Sequence, residues 1–151
     1  MKEIYVGIFI ALSLAACREK DGAIPPAPYS KEGRASFYSG IFTGKATSSG
    51  ELYHPDSLTA AHMYLPFGTV VEVTNLSNNK SVIVAINDRG PYVSGRIVDL
   101  SAAAARRLGF IEEGVADVRL TVVKPAKGYS VEDSVAGDRV DEMTRDVAGF
   151  D

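Results

Sequence analysis

The stretch AINDRGPYVSGRIVDLS, residues 85–101, sets the plan of the molecule. A β-rich apolar run reaches Asn87 and Asp88, and the chain then turns through Arg89-Gly90-Pro91. Gly and Pro break regular structure, each by restricting or freeing the backbone in its own way. Arg96 to Leu100 is apolar enough to form a second short strand. Ser101 is then well placed to cap a helix, because its hydroxyl oxygen can accept an N–H of the first turn. Ala102 to Ala105 favour the helix, Arg106 and Arg107 sit near its negative end, and Gly109 can end it. A helix over about 102–108 is expected.

Working outward, Thr69 to Leu76 alternates, with Val71 and Val73 facing one way and Glu72 and Thr74 the other. Ser77-Asn78-Asn79 is turn-like, and Ser81 to Asp88 is β-rich, so 69–88 is expected to form a hairpin. The period of two places Val82, Val84, Ile86 and Asp88 on one face. Gly33 to Ser39 is expected to form a first strand. Val115 to Val123 forms a last one, setting Val118, Leu120 and Val122 against Arg119 and Thr121, with Pro125 stopping it. Several short strands and one helix point to a mainly β fold, a small barrel rather than a parallel α/β sheet.

The 151 residues suit one domain with extensions, and a hydrophobic share of 46% supports a packed core. Residues 1–124 hold 13 Lys+Arg against 12 Asp+Glu, a balance of +1, whereas residues 125–151 hold 3 against 7, a balance of -4. No basic block marks a nucleic-acid surface. The single cysteine, Cys17, excludes an intrachain disulfide and a Cys-rich zinc site. It follows a mostly apolar run, Ile4 to Leu14, too short to span a bilayer stably. Leu14-Ala15-Ala16-Cys17 resembles a bacterial lipobox, whose Cys becomes the lipidated first residue. An ordinary secretory signal would show the same run; a lone Cys at that one junction favours the lipobox. The expected organisation is a lipoprotein signal peptide over 1–16, a lipidated Cys17 with a Pro-rich tether to residue 32, a domain over 33–124, and an acidic, disordered tail over 125–151.

Neither a Gly-rich phosphate loop nor a G-x-S-x-G elbow is present. His54 and His62 lack metal-ligand spacing, so neither a metal nor a cofactor is expected. The acid/base candidates are Glu51, His62, Asp88 and Asp99. Asp88 suits an Asx-type turn bond as well as a carboxyl group at a barrel rim. Arg89 beside it would favour the ionised form. Glu51 reads locally as a solvated loop charge, His62 as a half-buried histidine bonded to backbone, and Asp99 as an aid to the start of the following helix. Tyr38, Tyr53, Tyr64 and Tyr92 lie near these loops, where aromatic faces pack on sugar rings or simply on other side chains.

GRASFYSGIFTGKATSSGELY (33–53), LTAAH (58–62), LPFGT (65–69), VTNL (73–76), NDRGP (87–91), RIVDLSAAAA (96–105) and GVADVRLTVV (114–123) together resemble the rare lipoprotein A (RlpA-like) family. The resemblance covers about residues 33–124. It implies a six-stranded double-psi β-barrel, the fold also seen in the first domain of expansins. It further implies a lytic transglycosylase, a carbon–oxygen lyase acting on peptidoglycan glycan strands and preferring those stripped of stem peptides. Cleavage falls between N-acetylmuramic acid and N-acetylglucosamine and leaves a 1,6-anhydro end, because the muramic acid's own C6 hydroxyl attacks in place of water. Carried over by position, Asp88 is the acid/base, and Glu51 and His62 match the other two positions linked to activity. A general acid must hold its proton, so a raised Asp88 pKa is expected, with Glu51 as a like charge raising it and His62 positioning Glu51 or a sugar hydroxyl. Arg89, Tyr53 and Tyr92 are expected to contact the sugar.

A monomer is expected, held by its lipid in the outer membrane facing the periplasm, since Arg18 rather than Asp follows Cys17 in the lipobox reading. Two departures stand out. Many members carry a C-terminal SPOR domain, and none is expected here. His54 stands where an acidic or amide residue is frequent. The alternative from another class is a non-catalytic wall-binding lipoprotein that grips glycan as expansins are thought to do. A purely structural envelope lipoprotein is the third possibility.

Overall fold

The computed structural model describes residues 29–129. Cys17, the signal peptide, most of the tether and residues 130–151 of the tail lie outside the described residues.

Six strands close into a barrel: β1 (Ser30–Phe37), β2 (Thr59–Ala61), β3 (Val70–Asn75), β4 (Ser81–Asp88), β5 (Arg96–Leu100) and β6 (Ala116–Lys124). Their order around the barrel is β1-β5-β2-β4-β3-β6, with β6 pairing back to β1. Two neighbouring pairs, β1/β5 and β2/β4, are parallel, and the rest are antiparallel. Parallel partners need long connections, and here those connections carry the site. The expected hairpin is β3/β4, with Val71 opposite Val84 and Val73 opposite Val82.

The period of two fills the barrel. Val71, Val73, Val84, Ile86, Val98, Leu100, Val118 and Leu120 are almost wholly buried, and their alternate neighbours Glu72, Ile83 and Arg119 reach towards solvent. Closure leaves no open sheet edge among these strands. The helix α1 (Ala102–Leu108) has the expected bounds. Ser101 Oγ accepts from Ala104 N, and Gly109 ends the helix at φ +73, a left-handed conformation that suits a residue without a side chain. Ala104, Ala105 and Leu108 plug the barrel, and Phe110 behind them is 1% exposed.

Three features depart from the sequence expectation. β1 begins at Ser30 rather than Gly33, because Ser30 to Gly33 pair with Thr121 to Val118 of β6 and Tyr29 packs into the core. The end of the expected tether is therefore barrel. β2 and a 3-10 turn over Gly40–Phe42 were not foreseen. Asp99 does not serve the helix start: its Oδ1 accepts from Ser36 Oγ at 2.6 Å, and Ser101 does the capping.

Candidate active site

The site grows from an irregularity in β4. Ala60 of β2 pairs with Ile86, but Ala61 pairs with Asp88, so Asn87 is an extra residue in the strand. Such a bulge breaks the alternation of faces. Ile86 and Asn87 are accordingly both buried, and Asp88 is left half-exposed at the strand end. Gly90 then turns the chain at φ +128, a backbone conformation that side chains oppose.

Four donors converge on the Asp88 carboxylate. Oδ1 accepts from Ser48 N at 2.8 Å, Ser48 Oγ at 2.7 Å and Arg89 N at 2.8 Å, while Oδ2 accepts from Tyr38 Oη at 2.7 Å. Burial pushes the carboxyl pKa up, but the bonds from Ser48, Tyr38 and Arg89 N–H outweigh it, and the net shift is below the ordinary carboxylate value. The expected raised pKa is therefore corrected for the protein without substrate. Burial and the bond to Asp88 both raise the Tyr38 pKa, so the phenol stays a proton donor. Its ring lies 4.9 Å from Tyr53 and 5.8 Å from Phe42, which fixes the direction of its hydroxyl.

Glu51, expected as a like charge near Asp88, bonds to the residue beside it. Its Oε2 accepts from Asn87 Nδ2 at 2.8 Å, on the bulged residue. Ser49 N also donates to Asn87 O, and Thr47 N to Glu51 O. Glu51 thus pins the loop that brings Ser48 onto Asp88. His62 is 3% exposed. Its Nδ1 accepts from Tyr64 N at 3.2 Å and Leu65 N at 3.0 Å, which puts the ring proton of the neutral imidazole on Nε2. Its own backbone N donates to Asp88 O.

Arg89, expected at the sugar, is turned into the structure. Nη1 donates to His62 O at 3.0 Å and Leu65 O at 2.8 Å, and the guanidinium lies over the Phe67 ring at 3.9 Å. Tyr53, also expected at the sugar, is 4% exposed and backs Tyr38. Tyr92 is 77% exposed, with its ring beside Gly90. Sequence reasoning thus named Asp88, Glu51 and His62, which the fold brings together, but missed Ser48 and Asn87 and gave Tyr38 no role. A polar Asn inside a run of buried strand residues was the one local sign of the bulge. Among the described residues no group of three or more His, Cys, Asp or Glu is placed to hold a metal ion.

Removing the Tyr38 hydroxyl takes away one of the bonds that lower the Asp88 pKa. Tyr38→Phe should therefore raise that pKa, as read by NMR titration of the Asp88 carboxyl carbon. A pKa that stays in place, or falls, contradicts this coupling.

A family model described as "Lytic transglycolase" matches residues 30–120, which span the closed double-psi barrel, and the chain belongs to that family. Within it, the chain is 52% identical over 96 residues to the endolytic peptidoglycan transglycosylase RlpA of Pasteurella multocida, covering 64% of this chain and 33% of that protein. It is 47% identical over 105 residues to the RlpA of Neisseria meningitidis serogroup A, covering 70% and 44% respectively. The chain thus spans less than half the length of either relative. In fold it is similar to the apo expansin of Clavibacter michiganensis, with a TM-score of 0.50, 26% identity, and coverage of 65% of this chain and 52% of that one.

Proposed function

We propose that this protein is an endolytic peptidoglycan lytic transglycosylase that cuts the bond between N-acetylmuramic acid and N-acetylglucosamine and leaves 1,6-anhydromuramic ends. The observation that carries this reading is the half-exposed Asp88 carboxylate, held at the barrel rim by Tyr38 and Ser48. The names of the relatives support it.

Most glycosidases need two carboxyl groups, one as acid and one as nucleophile or base. An internal C6 hydroxyl removes the need for the second. Asp88 gives its proton to the leaving oxygen as the C1–O bond breaks. It then takes the C6 hydroxyl proton as that oxygen bonds to C1, so the proton account closes and no water is consumed. The ionised resting state must first gain that proton. A glycan lying over Asp88 excludes water, and burial is already the largest single influence on this group and acts upward. Separating Ser48 from Oδ1 would remove two of the four opposing bonds, so both effects act in the same direction. In this scheme Glu51 and His62 are positioning residues: Glu51 holds the Ser48 loop through Asn87, and His62 holds the backbone at Asp88.

One observation favours a second reading, a non-catalytic expansin-like grip on glycan. The four bonds that hold Asp88 ionised suit a binding carboxylate as well as an acid. Incubating the protein with peptide-stripped glycan and analysing the products by mass spectrometry separates the two readings. Anhydro ends support the enzyme, and uncut glycan that co-sediments with the protein supports the grip.

The setting is proposed to be wall remodelling and cell separation, with the protein acting as a monomer tethered by Cys17 to the outer membrane and facing the periplasm. Several acyl chains together anchor firmly. Cys17→Ala should therefore move the protein from the membrane pellet to the soluble fraction, and a variant still extracted only by detergent contradicts the anchor.

A further inference from the structure

The two oxygens of Asp88 are held differently, and the difference bears on which of them carries a proton. Oδ1 accepts from Ser48 N at 2.8 Å, Ser48 Oγ at 2.7 Å and Arg89 N at 2.8 Å. Among the described residues Oδ2 accepts only from Tyr38 Oη, at 2.7 Å. A carboxylate oxygen offers about two lone-pair sites. The donors on Oδ1 fill both of its sites, and the single donor on Oδ2 leaves one open.

The kinds of donor point the same way. A backbone N–H can only donate, so a proton on Oδ1 would crowd against the N–H groups of Ser48 and Arg89. Ser48 Oγ could turn to accept that proton, but the two N–H groups would still point at the same oxygen. Arg89 N belongs to the next residue in the chain and stays on Oδ1 even where the Ser48 loop parts from it. A phenol hydroxyl both donates and accepts, so Tyr38 suits Oδ2 with or without a proton. The Tyr38 ring packs 4.9 Å from Tyr53 and 5.8 Å from Phe42, so its oxygen keeps its place while its O–H bond turns.

We propose that Oδ2 is the oxygen of Asp88 that gives and takes the reacting proton, and that Tyr38 is a positioning residue that fills one site of Oδ2 and leaves the other for the glycosidic oxygen. The proton passes from Oδ2 to the leaving oxygen as the C1–O bond breaks. Oδ2 then accepts the C6 hydroxyl proton as that oxygen bonds to C1. Oδ1 stays the anchored end of the carboxyl group throughout, and the scissile bond lies on its Tyr38 side. This assignment rests on the transglycosylase reading and adds to it the reacting atom and the residue that orients it.

The test reads the carbonyl stretch of protonated Asp88 by infrared difference spectroscopy on the full chain, in acid at a pH where melts show the barrel still folded. The band is identified by its absence from Asp88→Asn. With the proton on Oδ2, the double-bonded oxygen is Oδ1. Ser48→Ala removes a donor from that oxygen and should move the band to higher wavenumber, whereas Tyr38→Phe should leave it in place. The reverse pattern, equal shifts or no shift at all overturns the assignment of Oδ2. The second readout is kcat at the acid plateau of its pH profile, where both proteins hold the proton and a changed pKa does not enter. There Tyr38→Phe should lower kcat roughly tenfold or more through lost orientation, with KM near that of wild type. An unchanged kcat, or a loss confined to KM, overturns the role of Tyr38. Wild type that leaves glycan uncut overturns the transglycosylase reading, and with it the role of this proton, whatever the infrared band shows.

Discussion

Asp88→Asn is expected to lower the rate of anhydro-end formation by roughly a hundred- to ten-thousandfold, the range for removing a general acid/base. An amide cannot give a proton to the leaving oxygen or take one from the C6 hydroxyl. The fold should persist, because the barrel closes through six strand pairings that do not depend on this side chain. Stability should change in a defined way. The folded protein holds the Asp88 pKa below its ordinary value, so the ionised carboxylate stabilises the fold above about pH 4, the unfolded value. That contribution is lost as pH falls through the folded pKa. Thermal melts should therefore show wild type ahead of Asp88→Asn at neutral pH and the gap narrowing below about pH 4. A variant within tenfold of wild-type activity contradicts the role of Asp88, and a gap that widens in acid contradicts its ionised state.

Phe110→Ala is expected to have the largest effect on stability. Phe110 is 1% exposed, and Phe37 meets it edge-on at 5.9 Å. It lies just past the helix that plugs the barrel, so truncation leaves a cavity between α1 and β1. Large-to-small changes of this kind cost on the order of 3–5 kcal/mol. In a domain of this size the melting midpoint should fall by roughly 10–30 °C. Ile41→Ala, at a side chain 73% exposed, serves as the control and should change stability by less than about 0.5 kcal/mol. Equal effects at the two positions contradict the packing described.

The parts of the fold that were legible are those whose signal is local and repeated. The 3.6-residue helix with its Ser101 and Gly109 caps, and the alternating β3, β4 and β6, follow from spacing alone. β2 escaped because three residues of small side chains, Thr59-Ala60-Ala61, show no period. The first turn of β1 escaped because Ser30, Lys31 and Glu32 carry no apolar alternation; their pairing with β6 comes from sequence neighbours about ninety residues away. The same distinction runs through the site. Asp88 stood out by its turn, but its protonation state depends on Tyr38 and Ser48, which are 50 and 40 residues distant. Arg89 adjoins Asp88 in sequence, yet its charge goes to two carbonyls of the loop after β2, because the bulge at Asn87 and the Gly90 turn set its direction. Arg89 acts on the carboxylate through its backbone N–H, and Asn87 acts through Glu51 and the Ser48 loop.

Cleavage of peptide-free glycan strands in heavy-oxygen water tests the central claim most directly. Attack by the C6 hydroxyl predicts new muramic ends that are one water lighter than hydrolysed ends, carry no heavy oxygen, and are absent with Asp88→Asn. New reducing ends bearing the heavy label would mean that water is the nucleophile, and the single-carboxylate mechanism at Asp88 would be wrong.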